Sequence, residues 1–469
     1  MPDTGLLSPG WAGTDGTVPL SDEAWVQAML DVEVALARAQ ADLGVIPRAA
    51  AESIARAAHV ERMDMTALVA GVHETANPVV ALVPQLVRAV SEVDPVAADY
   101  VHRGGTSQDI LDSATMLICA RSLTALSADL RRTAAALAGW VTEHRDTPMV
   151  GRTLTQHAVP TTFGLKAAGW LHLVLDIEER VDHLLHNRLP ASLGGAAGTL
   201  SAYAEYASLA GQGTDERGIE LIAPFAAHLG LTAPLVPWHA IRTPLADLAS
   251  VLTFTATALG KFAADVQVLT RTEIGELVEP GGDGRGRSSA MPQKRNPVLA
   301  TMITTAARQV PPYALVLFQS VAAEDERSAG GWHAEWQPLR ECLRLVLGAA
   351  RNAAELATGL EIRPDAMMHN LGRTGGAVVT ERVSAVVTPL LGKQRAKRLL
   401  GAATATAERT GEPLATVLDK ALTEAGSPLP TNTLADLLDP LNYAGAAGPL
   451  ADRVLARYRA GAADTTRAC

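Results

Sequence analysis

Cysteine is scarce in this chain, with Cys119, Cys342 and Cys469 among 469 residues. They form neither a Cys-x-x-Cys pair nor a Cys/His spacing suited to zinc, which argues against a disulfide scaffold or structural zinc site and indicates a reducing cytoplasm. Residues 1–19 lack a basic stretch followed by an apolar one, so no signal peptide is expected. An uninterrupted apolar run of about 18 residues is also missing, so no transmembrane helix is expected.

Aromatic residues are few as well, and basic residues are in the minority. Aromatics make up 4% of the chain, whereas Ala and Leu are abundant and no sustained alternation of apolar and polar residues occurs, which favours helices over strands. The 40 basic residues stand against 50 acidic ones, for a net charge of −10. This surplus argues against nucleic acid as a partner, although a local basic pocket can still hold a small anion.

Helical patterns fill the chain between polar breaks. Ser21 is a predicted N-cap, apolar residues then follow at helical spacing up to Gly44, and the segment 244–277 is predicted to be the longest helix. The polar breaks lie at 104–109, 147–160 and 189–200, and a glycine-rich loop lies at 280–287. The prediction is an all-α protein with three helical domains: an N-terminal one (1–105) that begins with an irregular arm, a central long-helix bundle (106–360) and a C-terminal one (361–469).

The strongest chemical signal is the segment 288-SSAMPQKRNP-297, which composition alone would assign to the start of a helix. Its order resembles the signature Ser-Ser-x-Met-Pro-x-Lys-x-Asn of the fumarase/aspartase superfamily, which includes argininosuccinate and adenylosuccinate lyases and the 3-carboxymuconate cycloisomerases. The segments 102-HRGGTSQD-109 and 151-GRTLTQ-156 resemble the first two conserved segments of that superfamily. Three others most resemble the cycloisomerase branch: 161-TTFGLKAAGW-170, 193-LGGAAGT-199 and 324-EDERSAGGWHAEW-336. The resemblance implies a homotetramer with a twenty-helix core, in which three subunits build each active site.

The resemblance also implies a mechanism and a set of site residues. These enzymes remove a proton from the carbon next to a carboxylate, which requires a strong base and donors for the resulting dianion. Ser288 would be the base on a mobile loop, with Ser289 as the alternative, and loop N–H groups and Lys294 would stabilise its oxyanion. The substrate would be bound by His102, Arg103, Thr106, Ser107, Gln156, Lys294 and Asn296. Neither a metal nor an organic cofactor is implied.

Some residues in or near these segments also have a structural interpretation. His102 is alternatively a buried histidine that bonds the backbone, and Arg152 is interpreted as a tie between subunits. Glu326 and Arg327 are predicted to form an ion pair near the site. The residues predicted to pack, or to be structural or near the site, are Trp332, Trp336, His157, His239 and His333.

Three positions depart from the pattern of the superfamily. Leu154 stands where related lyases have a histidine, the candidate acid for a basic leaving group, and leucine cannot donate a proton. This puts amine, amidine and hydroxide leaving groups in doubt. Arg103 stands where cycloisomerases often have an apolar residue, and its guanidinium suits either an additional pair of anionic or nitro oxygens or a subunit contact. Arg287 replaces the usual glycine before the serine pair and either stabilises the oxyanion or faces water.

Two reactions with a weakly basic leaving group remain. A nitrosuccinate lyase expels nitrite and leaves fumarate, whereas a 3-carboxy-cis,cis-muconate cycloisomerase, an enzyme of aromatic catabolism in the β-ketoadipate pathway, closes an internal carboxylate onto a double bond. Arg103 narrowly favours the first. The sequence therefore predicts a cytoplasmic, fumarate-forming C–N lyase for a small dicarboxylate or tricarboxylate, with neither nucleic acid nor a membrane as partner. A non-catalytic, crystallin-like structural protein is the alternative from another class.

Overall fold

The computed structural model describes residues 5–13, 19–213, 216–282 and 284–467. Helices dominate it, which confirms the all-α prediction. They are α1 (Asp22–Asp42), α2 (Arg48–Ala57), α3 (Met65–Thr75), α4 (Pro78–Ser91), α5 (Ser107–Glu143), α6 (Phe163–Asn187), α7 (Ser201–Leu209), α8 (Arg217–Glu220), α9 (Ile222–Leu229), α10 (Thr243–Leu269), α11 (Val298–Gln319), α12 (Gly331–Gly359), α13 (Pro364–Gly372), α14 (Thr380–Leu391), α15 (Lys393–Thr410), α16 (Leu414–Glu424), α17 (Thr431–Leu438) and α18 (Ala447–Arg467). Cys469 and residues 1–4 and 14–18 of the predicted arm lie outside the described residues.

Helix α1 begins and ends as the sequence predicts. The Ser21 hydroxyl oxygen accepts a hydrogen bond from the backbone N–H of Ala24 at 3.1 Å, and Asp22 and Glu23 lie in the first turn, where the helix dipole favours negative charge. Past the end of the helix, Gly44 adopts a φ of +73°, a left-handed conformation that glycine tolerates best. Local capping chemistry therefore accounts for both ends of α1.

The longest helix is α5, and the prediction of one helix over 244–277 is wrong at its C-terminal end. Helix α5 has 37 residues, whereas α10 has 27 and ends at Leu269. The backbone N–H of Glu276 donates to the carbonyl of Leu269 at 2.9 Å, and Gly275 adopts a φ of +61°, so the chain turns out of the helix. This turn places the Glu276 side chain in the protein interior, a tertiary constraint that the continuing apolar pattern does not reveal.

Helix α5 is the one described helix that is long and apolar enough to cross a membrane. Of its most apolar window, 72% is buried inside the protein. A core helix passes the same test of length and composition, so this finding is weak support for a membrane span.

The second polar break is a β-hairpin rather than a loop. Strands β1 (Pro148–Thr153) and β2 (Gln156–Thr162) pair antiparallel, with Thr153 opposite Gln156 and a bulge between Val150 and Arg152. A second, short pair joins β3 (Leu277–Val278) to β4 (Glu361–Ile362). Buried residues in β1 are adjacent instead of alternating, so the pattern that identifies a strand in a sequence is missing here.

The two-residue turn between β1 and β2 is strained. Leu154 and Thr155 adopt φ values of +47° and +70°, a left-handed region in which a β-branched residue is an outlier.

We expect Thr155→Gly to raise the free energy of unfolding by about 0.5 kcal/mol, because the relief of left-handed strain exceeds the entropic cost of glycine. Urea titration at a fixed protomer concentration measures this. Thr153→Gly, within β1, is the control and is expected to destabilise the protein; equal effects of both changes would contradict the strain argument.

Contacts divide the chain into two compact units. The first unit contains residues 1–131, 176–260 and 302–353, and within it α1 packs against α2 and α9. The second unit contains residues 132–175, 261–301 and 354–469, and within it α14 to α17 bury an apolar core around Val387, Leu418 and Leu422. The division into domains 1–105, 106–360 and 361–469 stays a prediction.

Candidate active site

The carboxylate of Asp109 organises the 102–109 segment. Asp109 is fully buried in the first turn of α5. Its two oxygens accept hydrogen bonds from the backbone N–H groups of Thr106 (3.2 Å), Gly194 (2.7 Å) and Gly195 (3.1 Å), the Tyr203 hydroxyl (2.9 Å) and His239 Nε2 (2.8 Å). These bonds fasten the first conserved segment to the 193–199 segment. Asp109 is not among the site residues predicted from the sequence, because most of its partners come from distant parts of the chain.

The hydroxyl groups of Thr106 and Ser107 are oriented by neighbouring donors. Arg327 Nη2 donates to Thr106 Oγ1 at 2.9 Å, and Asn77 Nδ2 donates to Ser107 Oγ at 2.8 Å. Because both oxygens accept here, each hydroxyl hydrogen is left to donate to an anion. Arg327 Nε also donates to Gln108 Oε1 at 2.8 Å, so within the described residues it binds the 102–109 segment, and its predicted ion pair with Glu326 is not found.

His102 and Arg103 are both held by groups of the first unit. His102 has a φ of +55°, and its Nδ1 bonds Oε1 of Glu33 at 2.6 Å instead of a backbone atom. The guanidinium of Arg103 lies over the rings of two tyrosines, 4.2 Å from the ring centre of Tyr100 and 5.0 Å from that of Tyr206. Its Nη2 donates to the carbonyl of Asp99 at 3.2 Å. Stacking immobilises the guanidinium plane at little cost to its outer N–H donors.

A buried ion triad includes Asp112, which lies near the N-terminus of α5. Arg242 donates to Asp112 at 2.7 and 3.1 Å and to Glu335 at 2.6 and 3.1 Å, and all three side chains are 3% exposed. Trp332 Nε1 also donates to Asp112, at 2.9 Å, and its ring packs edge-on against Trp336, which confirms that these tryptophans pack. No local motif connects the members of this triad, so the sequence does not predict it.

In the second unit, the 151–156 segment forms the turn of the β-hairpin. Arg152 donates to both oxygens of the fully buried Glu276, at 2.6 and 3.0 Å, so the side chain predicted to tie subunits together pairs within its own chain. Asn370 Nδ2 donates to the same carboxylate at 2.9 Å. Gln156 is exposed next to the turn, and Leu154 is 95% exposed at its tip.

The Ser288 loop is a small hairpin of its own. Arg287 pairs with Arg295 in an antiparallel bridge, and the backbone N–H of Asn296 donates to the carbonyl of Gly286 at 2.9 Å. Within this hairpin, Ser288 Oγ accepts from the backbone N–H groups of Met291 at 3.2 Å and Ala290 at 3.4 Å. Such donors stabilise an oxyanion at Oγ. The exposed side chains of the loop include Arg287, Ser289, Lys294 and Asn296.

The structure thus gathers the predicted site residues into two groups. The first unit holds His102, Arg103, Thr106 and Ser107; the second unit holds Gln156, Ser288, Lys294 and Asn296. Among the described residues, no group of three or more His, Cys, Asp or Glu side chains is placed to hold a metal ion. Burial raises the pKa of the Cys119 and Cys342 thiols to about 12, so neither is a ready nucleophile.

Comparisons with known proteins agree with these motifs. A family model described as "Lyase" matches residues 17–311. The chain is 55% identical to a nitrosuccinate lyase of Streptomyces davaonensis, over 97% of this chain and 94% of that protein. It is 41% identical to a 3-carboxy-cis,cis-muconate cycloisomerase of Pseudomonas aeruginosa, over 94% of this chain and 93% of that protein.

Solved structures show the same fold. The crystal structure of the 3-carboxy-cis,cis-muconate lactonizing enzyme from Pseudomonas putida superposes with a TM-score of 0.86 at 37% identity, covering 95% of this chain and 96% of that one. The motifs, the fold and the relatives therefore agree, and the chain belongs to the lyase family of the fumarase/aspartase superfamily, in the branch of the 3-carboxymuconate cycloisomerases.

Proposed function

We propose that this enzyme is a nitrosuccinate lyase, which converts nitrosuccinate into fumarate and nitrite. The observation that carries the proposal is the 55% identity to a nitrosuccinate lyase over 97% of the chain, against 41% to a cycloisomerase over 94%. The runner-up activity is that of a 3-carboxy-cis,cis-muconate cycloisomerase. A crystallin-like, non-catalytic role is disfavoured because Ser288, Lys294, Asn296 and Gln156 are all present.

Ser288 is the proposed base of the elimination. Its oxyanion removes the proton from the carbon next to the carboxylate, and the two N–H groups that point at Oγ support the negative charge on that atom. The electron pair passes into the carboxylate as an enediolate and then forms the double bond while the C–N bond breaks and nitrite leaves. Thr106 and Ser107 donate their hydroxyl hydrogens to the substrate carboxylates, and Gln156, Lys294 and Asn296 add further donors.

The leaving group fits the residue at the tip of the β-hairpin. Leu154 is 95% exposed and has no proton to give, so a strongly basic leaving group would depart without help. Nitrite is a weak base that stays unprotonated at neutral pH, so it departs without an acid. The immobilised guanidinium of Arg103 offers paired donors to two nitro oxygens, the same geometry that guanidinium groups use for carboxylates.

We further propose that the enzyme is a cytoplasmic homotetramer with a twenty-helix core. Each active site would then be built from three subunits. One subunit supplies the 102–109 segment, a second the 151–156 hairpin and a third the Ser288 loop. The sequence carries a net charge of −10, which disfavours nucleic acid and anionic membranes as partners.

A paired assay on the purified protein tests the proposed activity. One arm supplies nitrosuccinate, generated in situ, and measures nitrite and fumarate; the other supplies 3-carboxy-cis,cis-muconate and measures its loss. We expect nitrite and fumarate in equal amounts, because one elimination releases one of each. We expect no loss of the muconate, because the chain is 55% identical to a nitrosuccinate lyase and 41% identical to a cycloisomerase. Consumption of the muconate alone would establish the cycloisomerase activity in place of the lyase activity.

A further inference from the structure

Two buried polar side chains on helix α1 hold the loop that carries His102 and Arg103. Glu33 and Gln40 are 2% and 1% exposed, and they lie seven residues apart, so two helical turns place them on one face. Glu33 Oε1 bonds His102 Nδ1 at 2.6 Å, and Gln40 Nε2 donates to the carbonyl of Arg103 at 2.8 Å. The other buried residues of α1 are apolar, and burial of a polar side chain costs free energy unless it is hydrogen-bonded.

The pairing with His102 gives the buried carboxyl group of Glu33 a partner. The second oxygen of Glu33, Oε2, is buried and has no hydrogen-bond partner among the described residues. An ionised carboxylate without a cation in such a place carries a large desolvation penalty, and a protonated His102 removes much of it. The short bond to Nδ1 is typical of a charge-assisted pair.

The groups that face the imidazole come from three elements. Glu33 lies on α1, Asp109 lies in the first turn of α5, and the Tyr203 hydroxyl of α7 lies close to the same segment. Burial by itself would lower the pKa of His102, but the charges of Glu33 and Asp109 outweigh this effect and raise it. Burial beside Asp109 raises the pKa of Tyr203 well above its usual range, so this hydroxyl stays neutral.

The second ring nitrogen of His102 is available to a ligand. Because Nδ1 is occupied by Glu33, Nε2 carries the other N–H of the imidazolium. No hydrogen bond of Nε2 is recorded within the described part of the chain, and the side chain is 20% exposed. Gly105 lies against the ring, where an added Cβ would stand 3.3 Å from Cε1, so the segment approaches the imidazole closely.

We propose that Glu33 is a positioning residue that holds His102 as an imidazolium, whose Nε2–H binds a carboxylate of the substrate. The proposal rests on the proposed function, in which His102 contacts a dicarboxylate, and it adds the residue that supplies the charge. The substrate is accordingly a dianion. Its affinity for the enzyme falls when His102 loses its proton.

Fumarate binding, measured by calorimetry between about pH 6 and pH 9, tests this without any turnover. A group with a raised pKa is charged below that pKa, so in the wild type fumarate affinity is expected to fall as the pH rises through it. In Glu33→Gln the shape of the pair is kept and the charge is lost. We expect the pH at which half of the fumarate affinity is lost, the midpoint, to move down by about one pH unit. Relative to the wild type, binding should be about tenfold weaker at pH 8 and less than about threefold weaker at pH 6.

Two further variants separate charge from loop geometry. Gln40→Met removes the other contact from α1 to the same loop, and we expect any loss of affinity to be the same at every pH. His102→Gln is expected to bind fumarate weakly and without dependence on pH in this range. It also serves if Glu33→Gln does not fold, because a wild-type pH profile in His102→Gln would overturn the proposal.

The remaining outcomes are distinct. An unchanged midpoint in Glu33→Gln, a uniform loss like that expected of Gln40→Met, or no fumarate binding by the wild type would overturn the inference. Nitrite release by the wild type is measured separately. If it is absent while the midpoint still moves in Glu33→Gln, the proposed function fails and the role of Glu33 stands.

Discussion

Ser288→Ala is expected to lower kcat/KM for nitrite release by about 10³-fold, because general-base catalysis by a positioned group contributes on that order. The folded state should be unaffected, since Ser288 is only partly buried and its hydroxyl oxygen merely accepts from two loop N–H groups. Steady-state nitrite release, with a thermal melt of each protein, measures both quantities.

The neighbouring serine provides the matched control for this experiment. Ser289 is exposed in the same loop, and Ser289→Ala removes the same hydroxyl group one position away. We expect Ser289→Ala to retain kcat/KM within about fivefold, well short of the loss of a general base. A large loss in Ser289→Ala together with an active Ser288→Ala would reverse the assignment and make Ser289 the base.

Arg242→Met is expected to destabilise the protein by about 3–5 kcal/mol at pH 8, because it leaves two buried carboxylates without their cation. Asp112 and Glu335 are each 3% exposed, so water cannot replace the lost bonds. Denaturant unfolding at fixed protomer concentration measures the loss. The exposed Arg38, 3.8 Å from Glu52, is the control, and Arg38→Met is expected to change stability by less than about 0.5 kcal/mol.

The pH dependence of Arg242→Met has a definite sign. Burial raises the pKa of Glu335 even beside Arg242, and removal of the guanidinium raises it further. A carboxyl group with a raised folded-state pKa penalises folding increasingly as the pH rises above its unfolded pKa. The destabilisation should therefore shrink between pH 8 and pH 5. A loss below about 1 kcal/mol at pH 8 would show that the triad is not the buried charge network described here.

The sequence predicts well what short-range chemistry determines. Ser21, Asp22 and Gly44 set the ends of α1 through capping and glycine conformation, and the structure has both ends there. The residues of the Ser288 loop are adjacent in the chain, so a single sequence motif contains both Ser288 and its N–H donors. Their roles in catalysis stay predictions that the assays above test.

What the sequence does not predict depends on partners that are far apart along the chain. Asp109 collects donors from three further segments, and no spacing pattern connects them. Glu33 lies inside an alanine-rich helix, where a glutamate normally indicates a solvent-facing position. Helix α10 ends at Leu269 and the chain turns at Gly275, and Glu276 then pairs with Arg152, which is distant in the sequence. Local periodicity does not reveal such long-range pairs.

The burial of the Cys119 and Cys342 thiols affects how this protein reacts with nitrite, its proposed product. Nitrite gives rise to nitrosating species that modify cysteine, and such reactions follow thiolate character and exposure. With a pKa of about 12, Cys119 and Cys342 are ionised to only about one part in 10⁵ at pH 7, and their side chains are shielded from solvent. Two of the three thiols in the chain are therefore protected from S-nitrosation in an enzyme whose proposed reaction releases nitrite.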